Sequence, residues 1–478
     1  MFNRELDPTT KRYIVTAAQN ATPVHQAFFE SLKQAAKHLD AELIVIPIRY
    51  KNPTSRWTLS QANAEVWADE IDPKDPKNPA LPHPTKPSYL YNRRRKLNAN
   101  LVLLGDIKTV PTASSPLTGF DAISGGESAI LGHTKLQLKV IPTPNNKLPK
   151  ILTTTGAVTV ANYTDSKAGK IGEFHHMLGA VIVELEGKVF HMRHVSANHD
   201  TGEFTDLTTT YSPSGHRRAA RPLALVMGDT HVDFIDPKVE AATFGRGGIV
   251  ETLNPQNLVW HDLLDGYSCN PHHKDNPFNR IAKQKSGADD VGAEVRRAVE
   301  FVKARTTGDR QSVVVASNHD DFLRRWIVKT DWREDAVNAE FYLKTALKMV
   351  QGTTLNETGT SSPDPFAYWI SRAGHPRVRV LAVDEAFQLG GVDLGMHGEL
   401  GPNGARGSIK NLRRIGARSI VGHSHVPGID EGCMQVGTST RLRLEYNAGP
   451  SSWLNAHALL HADGKRQLVF IIDGNWRM

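Results

Sequence analysis

Five apolar runs in the second half of this 478-residue chain each stop at a short segment crowded with Asp, Asn and His, and this arrangement narrows the fold more than any other feature. Leu223-Ala224-Leu225-Val226-Met227 ends at Gly228-Asp229-Thr230-His231, and Leu258-Val259-Trp260 leads into His261-Asp262-Leu263-Leu264-Asp265. Ser312-Val313-Val314-Val315-Ala316 precedes Ser317-Asn318-His319-Asp320. Val392-Asp393-Leu394 precedes Met396-His397-Gly398, and Ser419-Ile420-Val421 precedes Gly422-His423-Ser424-His425. A continuous apolar run is the pattern of a strand buried on both faces, and open parallel sheets collect functional side chains at the carboxyl ends of such strands. Five strand ends are therefore expected to converge on one rim. They would bring together Asp229, His231, Asp262, Asn318, His397, His423 and His425, a ligand set for two adjacent metal ions.

In this order the five segments resemble the calcineurin-like metallophosphoesterase superfamily, whose pattern runs D-x-H, G-D-x-x-D, G-N-H-D/E, a lone His and G-H-x-H. The resemblance covers residues 222–478 and implies an α/β fold, a β-sandwich flanked by helices. It implies that Asp229, His231 and His425 hold one ion and Asn318, His397 and His423 the other, with Asp262 bridging. Oxygen and imidazole ligands without thiolate suit manganese first, with iron or zinc as the other choices. The resemblance gives His319 the role of protonating the leaving oxygen, and Asp320 that of orienting it. The nucleophile would be a hydroxide between the ions, so no covalent enzyme intermediate is expected.

Two positions depart from that pattern without removing a ligand: His261 and Ser317 each stand where the family has Gly. The Asp-Arg-Gly that follows the second segment in protein phosphatases is missing, since Asp265 is followed by Gly266-Tyr267. This argues against a Ser/Thr protein phosphatase. Asp265 either caps the following turn or shapes the site. His272 and His273 are a polar rim loop or contacts to substrate phosphate. Arg324 and Arg325, one turn beyond His319, are a solvated basic face or phosphate contacts.

Length and 39% hydrophobic content allow more than one core. The expected division is an N-terminal α/β accessory domain over residues 1–205, a linker over 206–221 and the phosphoesterase domain over 222–478. No apolar run approaches the ~20 residues of a membrane span, and Met1–Thr10 lacks the form of a secretory signal. Two cysteines, Cys269 and Cys433, make no disulfide framework, so a reducing cytoplasm is expected, the host's if the gene is a phage's. The net charge of +7 lies mostly in the first half, where 26 Lys+Arg face 20 Asp+Glu in residues 1–220, against 31 and 30 in the remainder. Arg93-Arg94-Arg95-Lys96 and Lys135, Lys139, Lys147, Lys150, Lys167 and Lys170 supply much of the excess. A basic region joined to a phosphoesterase favours a polyanionic substrate.

The first half reads as a strand over Arg12–Ala18, a helix over Thr22–Leu39 with Thr22 as cap and Pro23 at its first position, and a strand over Glu42–Ile48. A proline-rich loop, Asp72–Pro87, precedes a buried strand at Asn100–Gly105. Strands follow at Lys135–Ile141 and Ile151–Thr155, then a hairpin of Ala180–Leu185 and Lys188–Val195. Gly125-Gly126-Glu127 and Gly169-Lys170 lack the spacing of a phosphate-cradling loop. Glu173-Phe174-His175-His176, with Lys167 and Lys170, either lines a nucleic-acid groove or is ordinary surface. Ala288–Arg305 carries Val291, Val295, Val299 and Val302 at helical spacing and reads as core packing. Gly352–Gly374 reads as a loop, a candidate cap whose Tyr368 and Trp369 either stack on bases or pack. No internal repeat is legible.

The expected activity is that of a phosphodiesterase acting on DNA, similar to the nuclease branch of the superfamily, which includes repair exonucleases and the DNA-transfer nucleases of some tailed phages. The alternatives are a small-molecule phosphomonoesterase or cyclic-nucleotide phosphodiesterase, and a catalytically dead nucleic-acid-binding protein. Expected partners are DNA and no membrane, with homo-oligomer formation open.

Overall fold

The computed structural model describes residues 12–20, 22–48, 89–144, 147–273, 275–356, 359–445 and 447–477. The loop expected over Asp72–Pro87 and the segment Met1–Thr10 lie outside the described residues. The first half carries β1 (Arg12–Gln19), β2 (Glu42–Ile48), β3 (Arg94–Asn98), β4 (Leu101–Leu104), β5 (Ser128–Leu131), β6 (Gln137–Ile141), β7 (Lys150–Thr154), β8 (Gly179–Glu186) and β9 (Val189–Ser196). Then come β10 (Phe204–Asp206), β11 (Thr209–Ser212), β12 (Gly215–Arg218), β13 (Ala224–Val226), β14 (Asn257–Trp260), β15 (Gln311–Val314), β16 (Thr354–Asn356), β17 (Gly359–Ser361) and β18 (Val378–Val380). The last are β19 (Gln388–Leu389), β20 (Val392–Asp393), β21 (Ser419–Val421), β22 (Gly428–Asp430), β23 (Cys433–Gln435), β24 (Ala456–Leu460) and β25 (Arg466–Phe470). Helices lie between them, so the fold is mixed α/β.

Three sheets build the body. A ten-stranded sheet runs β19-β20-β21-β23-β22-β6-β7-β5-β4-β3, a six-stranded sheet β18-β15-β14-β13-β24-β25, and a four-stranded sheet β2-β1-β8-β9. The largest core is shared by all three: Tyr13, Val15 and Ala17 of β1 and Ala224 and Val226 of β13 lie in it with Ile130, Leu138, Ile420 and Ile429 of the ten-stranded sheet. The intervening residues of the same strands serve outer cores. Ile14 packs with Phe28, Phe29 and Leu32 of the helix Gln26–Leu39. Leu225 packs with Val291, Val295, Val299 and Val302, the helical stripe of Val291–Arg305. Burial on both faces is why these strands read as unbroken apolar runs.

The chain does not divide as the sequence suggested. Residues 206–221, expected as a linker, contribute to the antiparallel sheet β10-β11-β12. Tyr211 is buried against Phe204, and Arg217 pairs with Glu203, so side-chain packing and an ion pair hold this stretch in place. The ten-stranded sheet crosses the expected boundary, because β6 pairs with β22 through Leu138 opposite Ile429. Residues 1–205 and 222–478 therefore share one sheet and one core.

Two helix readings also change. The first helix begins at Gln26, not beside Thr22, with His25 as its cap accepting from the Phe28 N–H. The residues ahead of it are held extended, since the His25 N–H donates to Val158 O and Val24 bridges Thr159. Tertiary pairing overrides the cap signal of Thr22-Pro23. Gly352–Gly374, read as loop, holds most of the β16–β17 hairpin and the helix Pro365–Arg372, capped by Asp364. Trp369 there stacks on Phe341 at 5.0 Å and donates Nε1–H to Thr345, which is the packing alternative for this residue.

Candidate metal centre

Strands β13, β14 and β15 are parallel neighbours, and β20, β21 and β23 are parallel in the facing sheet. Their carboxyl ends deliver the five segments to one place. Asp229, His231, Asp262, His397 and His425 are all buried, and Asn318, His319 and His423 are partly exposed beside them.

Asp262 is the hub. Its Oδ2 lies 3.2 Å from His397 Nε2 and 3.6 Å from His231 Nε2. His231 Nε2 is 3.0 Å from His425 Nε2, which is 3.3 Å from Asp229 Oδ2. Three groups of metal-competent atoms result, each within 4.8 Å: His231–Asp265–His319, and the two that share Asp262, His231–Asp262–His425 and Asp229–Asp262–His397. Asn318 Oδ1 is 3.0 Å from His423 Nδ1, joining the remaining two expected ligands. All seven side chains are thus in one cluster, and Asp262 is the one common to the two groups drawn wholly from them.

The backbone is bent to achieve this. His231, Asp262, His423 and His425 have φ of 42°, 45°, 74° and 60°, in the left-handed region that residues other than Gly seldom enter, Asn, Asp and His most readily. Such strain persists only where surrounding structure imposes it, and it collects at functional sites. Gly422 shows how tight the packing is: a Cβ there would stand 2.3 Å from Asp229 Oδ1. The oxygen is already engaged by the His423 N–H at 3.1 Å.

A second tier orients the imidazoles. His231 Nδ1 is 2.9 Å from Asp265 Oδ1, which settles the role left open for Asp265: it shapes the site. His397 Nδ1 faces His261 Nδ1 at 3.3 Å, so the histidine standing where a glycine was expected contacts a ligand side chain. A carboxylate behind a ligating imidazole fixes its tautomer. Trp453 covers His425 at 4.1 Å between ring centroids, a contact with no signal in the sequence.

The charges of the cluster are closely coupled. Burial would raise the Asp262 pKa, but His397, His319 and His231 outweigh it and hold the carboxyl well below its usual range. Burial opposes charge on His397 too, yet Asp262 and Asp229 raise it to about 10. Asp229 is raised, mainly by burial. Three wholly buried groups thus lean on one another for compensation, a costly arrangement unless a cation joins it. Asp262 Oδ1 and His425 Nδ1 are buried without a hydrogen-bond partner. The residues present fit a pair of divalent ions.

His319 lies edge-on to His231, with ring centroids 4.6 Å apart, and its Nδ1–H donates to the Asp265 carbonyl at 2.7 Å. The expected His319–Asp320 partnership is not formed. Asp320 instead accepts the Leu264 N–H through Oδ1 at 2.8 Å, and burial raises its pKa well above the carboxylate range. Arg324 and Arg325 both pair with Asp321, at 2.6 and 2.7 Å, and remain exposed. His273 packs against Tyr267 at 5.1 Å, and His272 is exposed. None of these four joins the buried cluster.

Part of the basic excess of the first half is engaged in ion pairs among the described residues. Arg95 forks onto Glu42 at 2.6 and 2.8 Å, Arg94 and Lys96 pair with Asp106 and Glu127, and Lys170 pairs with Asp165 and Glu173. His176, in the cluster read as a possible groove, is buried with Nε2 on the Thr159 carbonyl. Among the described residues no helix is long and apolar enough to cross a membrane.

No protein-family model matches the sequence. The chain is 29% identical over 477 residues to Protein A1 of Escherichia phage T5. It resembles a phage protein. The alignment covers 98% of this chain and 83% of Protein A1, so the similarity runs through the first half as well as through the metal-competent cluster.

Proposed function

We propose that this protein is a binuclear, metal-dependent phosphodiesterase of the calcineurin-like type and that it acts on DNA. The observation that carries the reading is the buried Asp262 carboxylate common to two ligand groups, with His231, His423 and His425 held beside it in left-handed backbone. Asp229, His231 and His425 would hold one ion and Asn318, His397 and His423 the other, with Asp262 between them. Two divalent ions held there, manganese first by the oxygen and imidazole donors, would supply an acidified water and positive charge for the phosphoryl oxygens.

The chain's own groups do the rest. Asp265 holds His231 in its tautomer, and His261 meets the Nδ1 side of His397. His319, with Nδ1–H committed to the Asp265 carbonyl, keeps Nε2 for the leaving oxygen. Burial lowers its pKa, and the negative charge of a bound phosphodiester acts in the opposite direction, favouring the protonated acid. A DNA substrate is supported by the absence of the arginine that follows the second segment in protein phosphatases, by the net charge of +7 and by the similarity to a phage protein. The setting that fits is the cytoplasm of an infected host.

The test is hydrolysis of linear duplex, circular and single-stranded DNA, beside an aryl phosphomonoester, with manganese or chelator. DNA cleavage that needs manganese supports the reading, and monoester turnover with intact DNA replaces it with a small-molecule phosphatase. His319→Asn is expected to keep its manganese and to lose about 10²–10⁴-fold in rate, the range for a general acid. Loss of the metal in that variant would refute the role given to His319.

A further inference from the structure

The four-stranded sheet and the right-hand part of the six-stranded sheet repeat one another. β1 is parallel to β2 and antiparallel to β8, which forms a hairpin with β9. β13 is parallel to β14 and antiparallel to β24, which forms a hairpin with β25. The ten-stranded sheet repeats within itself in the same manner. β3 is antiparallel to β4, β4 and β5 and then β5 and β7 are parallel, and β6 returns antiparallel to β7. From the other edge, β19 is antiparallel to β20, β20 and β21 and then β21 and β23 are parallel, and β22 returns antiparallel to β23. The connectivity of these strands along the chain is identical. The second half differs by inserting β15, β18 and their helices after β14.

Register makes the correspondence residue by residue. Ile130 pairs with Thr153, which pairs with Leu138; Ile420 pairs with Met434, which pairs with Ile429. Leu138 and Ile429 are therefore equivalent, and they are each other's partners across the β6–β22 join. An antiparallel pair of equivalent residues is where a twofold axis must pass. Counting on from Ile130 and Ile420 sets Gly132-His133-Thr134-Lys135 on Gly422-His423-Ser424-His425.

The glycines check this independently. A Cβ on Gly422 would strike His261 and Asp229, and a Cβ on Gly132 would strike Ile46 and Ala17. Ser439 N–H donates to Asp229 O as Val158 N–H does to Ala17 O. Asp229 thus corresponds to Ala17; the Thr230 N–H donates to His261 O, setting His261 beside Asp229 as Ile46 stands beside Ala17, so His261 corresponds to Ile46 and Asp262 to Pro47. His397 corresponds to Asp106 by the pairing of β4 with β5.

We propose that the chain is two copies of one fold, residues 12–196 and 224–470, related by a pseudo-twofold axis at Leu138–Ile429, and that only the second copy can hold metal. Ala17 and Pro47 have no donor atom. His133 has both ring nitrogens bound to main chain, Nδ1 by the Lys135 N–H at 2.9 Å and Nε2 by the Val110 carbonyl at 2.9 Å. Lys135, standing where the second copy has His425, has turned to another task. Its buried ammonium reaches Asp430 and Glu431 of the other copy at 3.1 and 3.0 Å and Ser114 O at 2.6 Å. A ligand position in one copy has become a clasp across the seam.

An experimental structure of the full chain tests the repeat directly. Superposing 12–196 on 224–470 should lay Gly132–Lys135 over Gly422–His425 after a rotation near ~180°, the closure a twofold demands. A different strand order, or a shifted register at those segments, overturns the proposal. In solution, Leu138→Cys/Ile429→Cys should form a disulfide within one chain, found by peptide mass mapping, because directly opposed antiparallel residues fall within disulfide reach. A folded double variant that stays reduced under oxidant overturns the seam. The metal count rests on the binuclear reading above. Manganese by elemental analysis should be two ions per chain, unchanged in Asp106→Ala/His133→Gln, and Lys135→Met should lower the melting temperature with that count intact. Four ions, or ions lost with Asp106 and His133, would overturn the lapsed state of the first copy. A chain with no manganese but the expected superposition would refute the binuclear reading alone.

Discussion

Asp262→Asn is expected to abolish manganese-dependent DNA hydrolysis and to strip metal from the protein while leaving it folded. The carboxylate is shared by both ligand groups, so its loss weakens both sites at once. Losing an outer-shell partner costs about 10–100-fold in metal affinity, and a residue common to two sites should exceed the upper figure. The measurement is a manganese titration followed by melting temperature. An ion binding only the folded state adds about 2.7 kcal/mol at a hundredfold excess over Kd, so the wild type should melt higher with manganese and the variant should not. An Asp262→Asn protein with full manganese stabilisation would remove Asp262 from the centre.

Arg193→Met is expected to be the most damaging change far from the metals, at about 3–5 kcal/mol of stability, the cost of breaking a buried ion pair from one side. Arg193 is 3% exposed. Its guanidinium forks onto Asp206 at 2.8 and 3.0 Å and reaches Glu184 at 2.8 Å. The variant would leave two buried carboxylates short of charge, with Gln467 still on Asp206 and Arg12 still near Glu184. Because Arg193, Asp206 and Gln467 sit on β9, β10 and β25, the loss strikes where the sheets meet. A urea midpoint within error of wild type would show that the network contributes little.

What the sequence disclosed follows from how locally each feature is determined. Glu42–Ile48 and Ser419–Val421 were readable to the residue because both faces of those strands are apolar. The metal-competent residues were readable because each sits directly after such a strand. The function of Asp265 was not, since only the fold brings it to His231. Asp320 misled because adjacency along the chain suggested a partner that the backbone turn denies it, sending its carboxylate to Leu264 instead. The stretch 206–221 misled because its Thr, Ser and Gly content suits turns as well as a strand ladder. The repeated fold was illegible because it is carried by strand order and register. Almost nothing of the ligand pattern survives in the first copy except Gly132-His133.

The join between β6 and β22 makes the molecule indivisible in a practical sense. Residues 222–478 taken alone would present the bare edge of β22 and an uncovered apolar face at Ile429, Met434 and Ile420, all buried in the shared core. An open edge beside exposed hydrophobic surface invites pairing with another chain. A protein trimmed to its second half would find its missing neighbour in itself, trading a built-in partner for aggregation or for a symmetric dimer formed through the same strand.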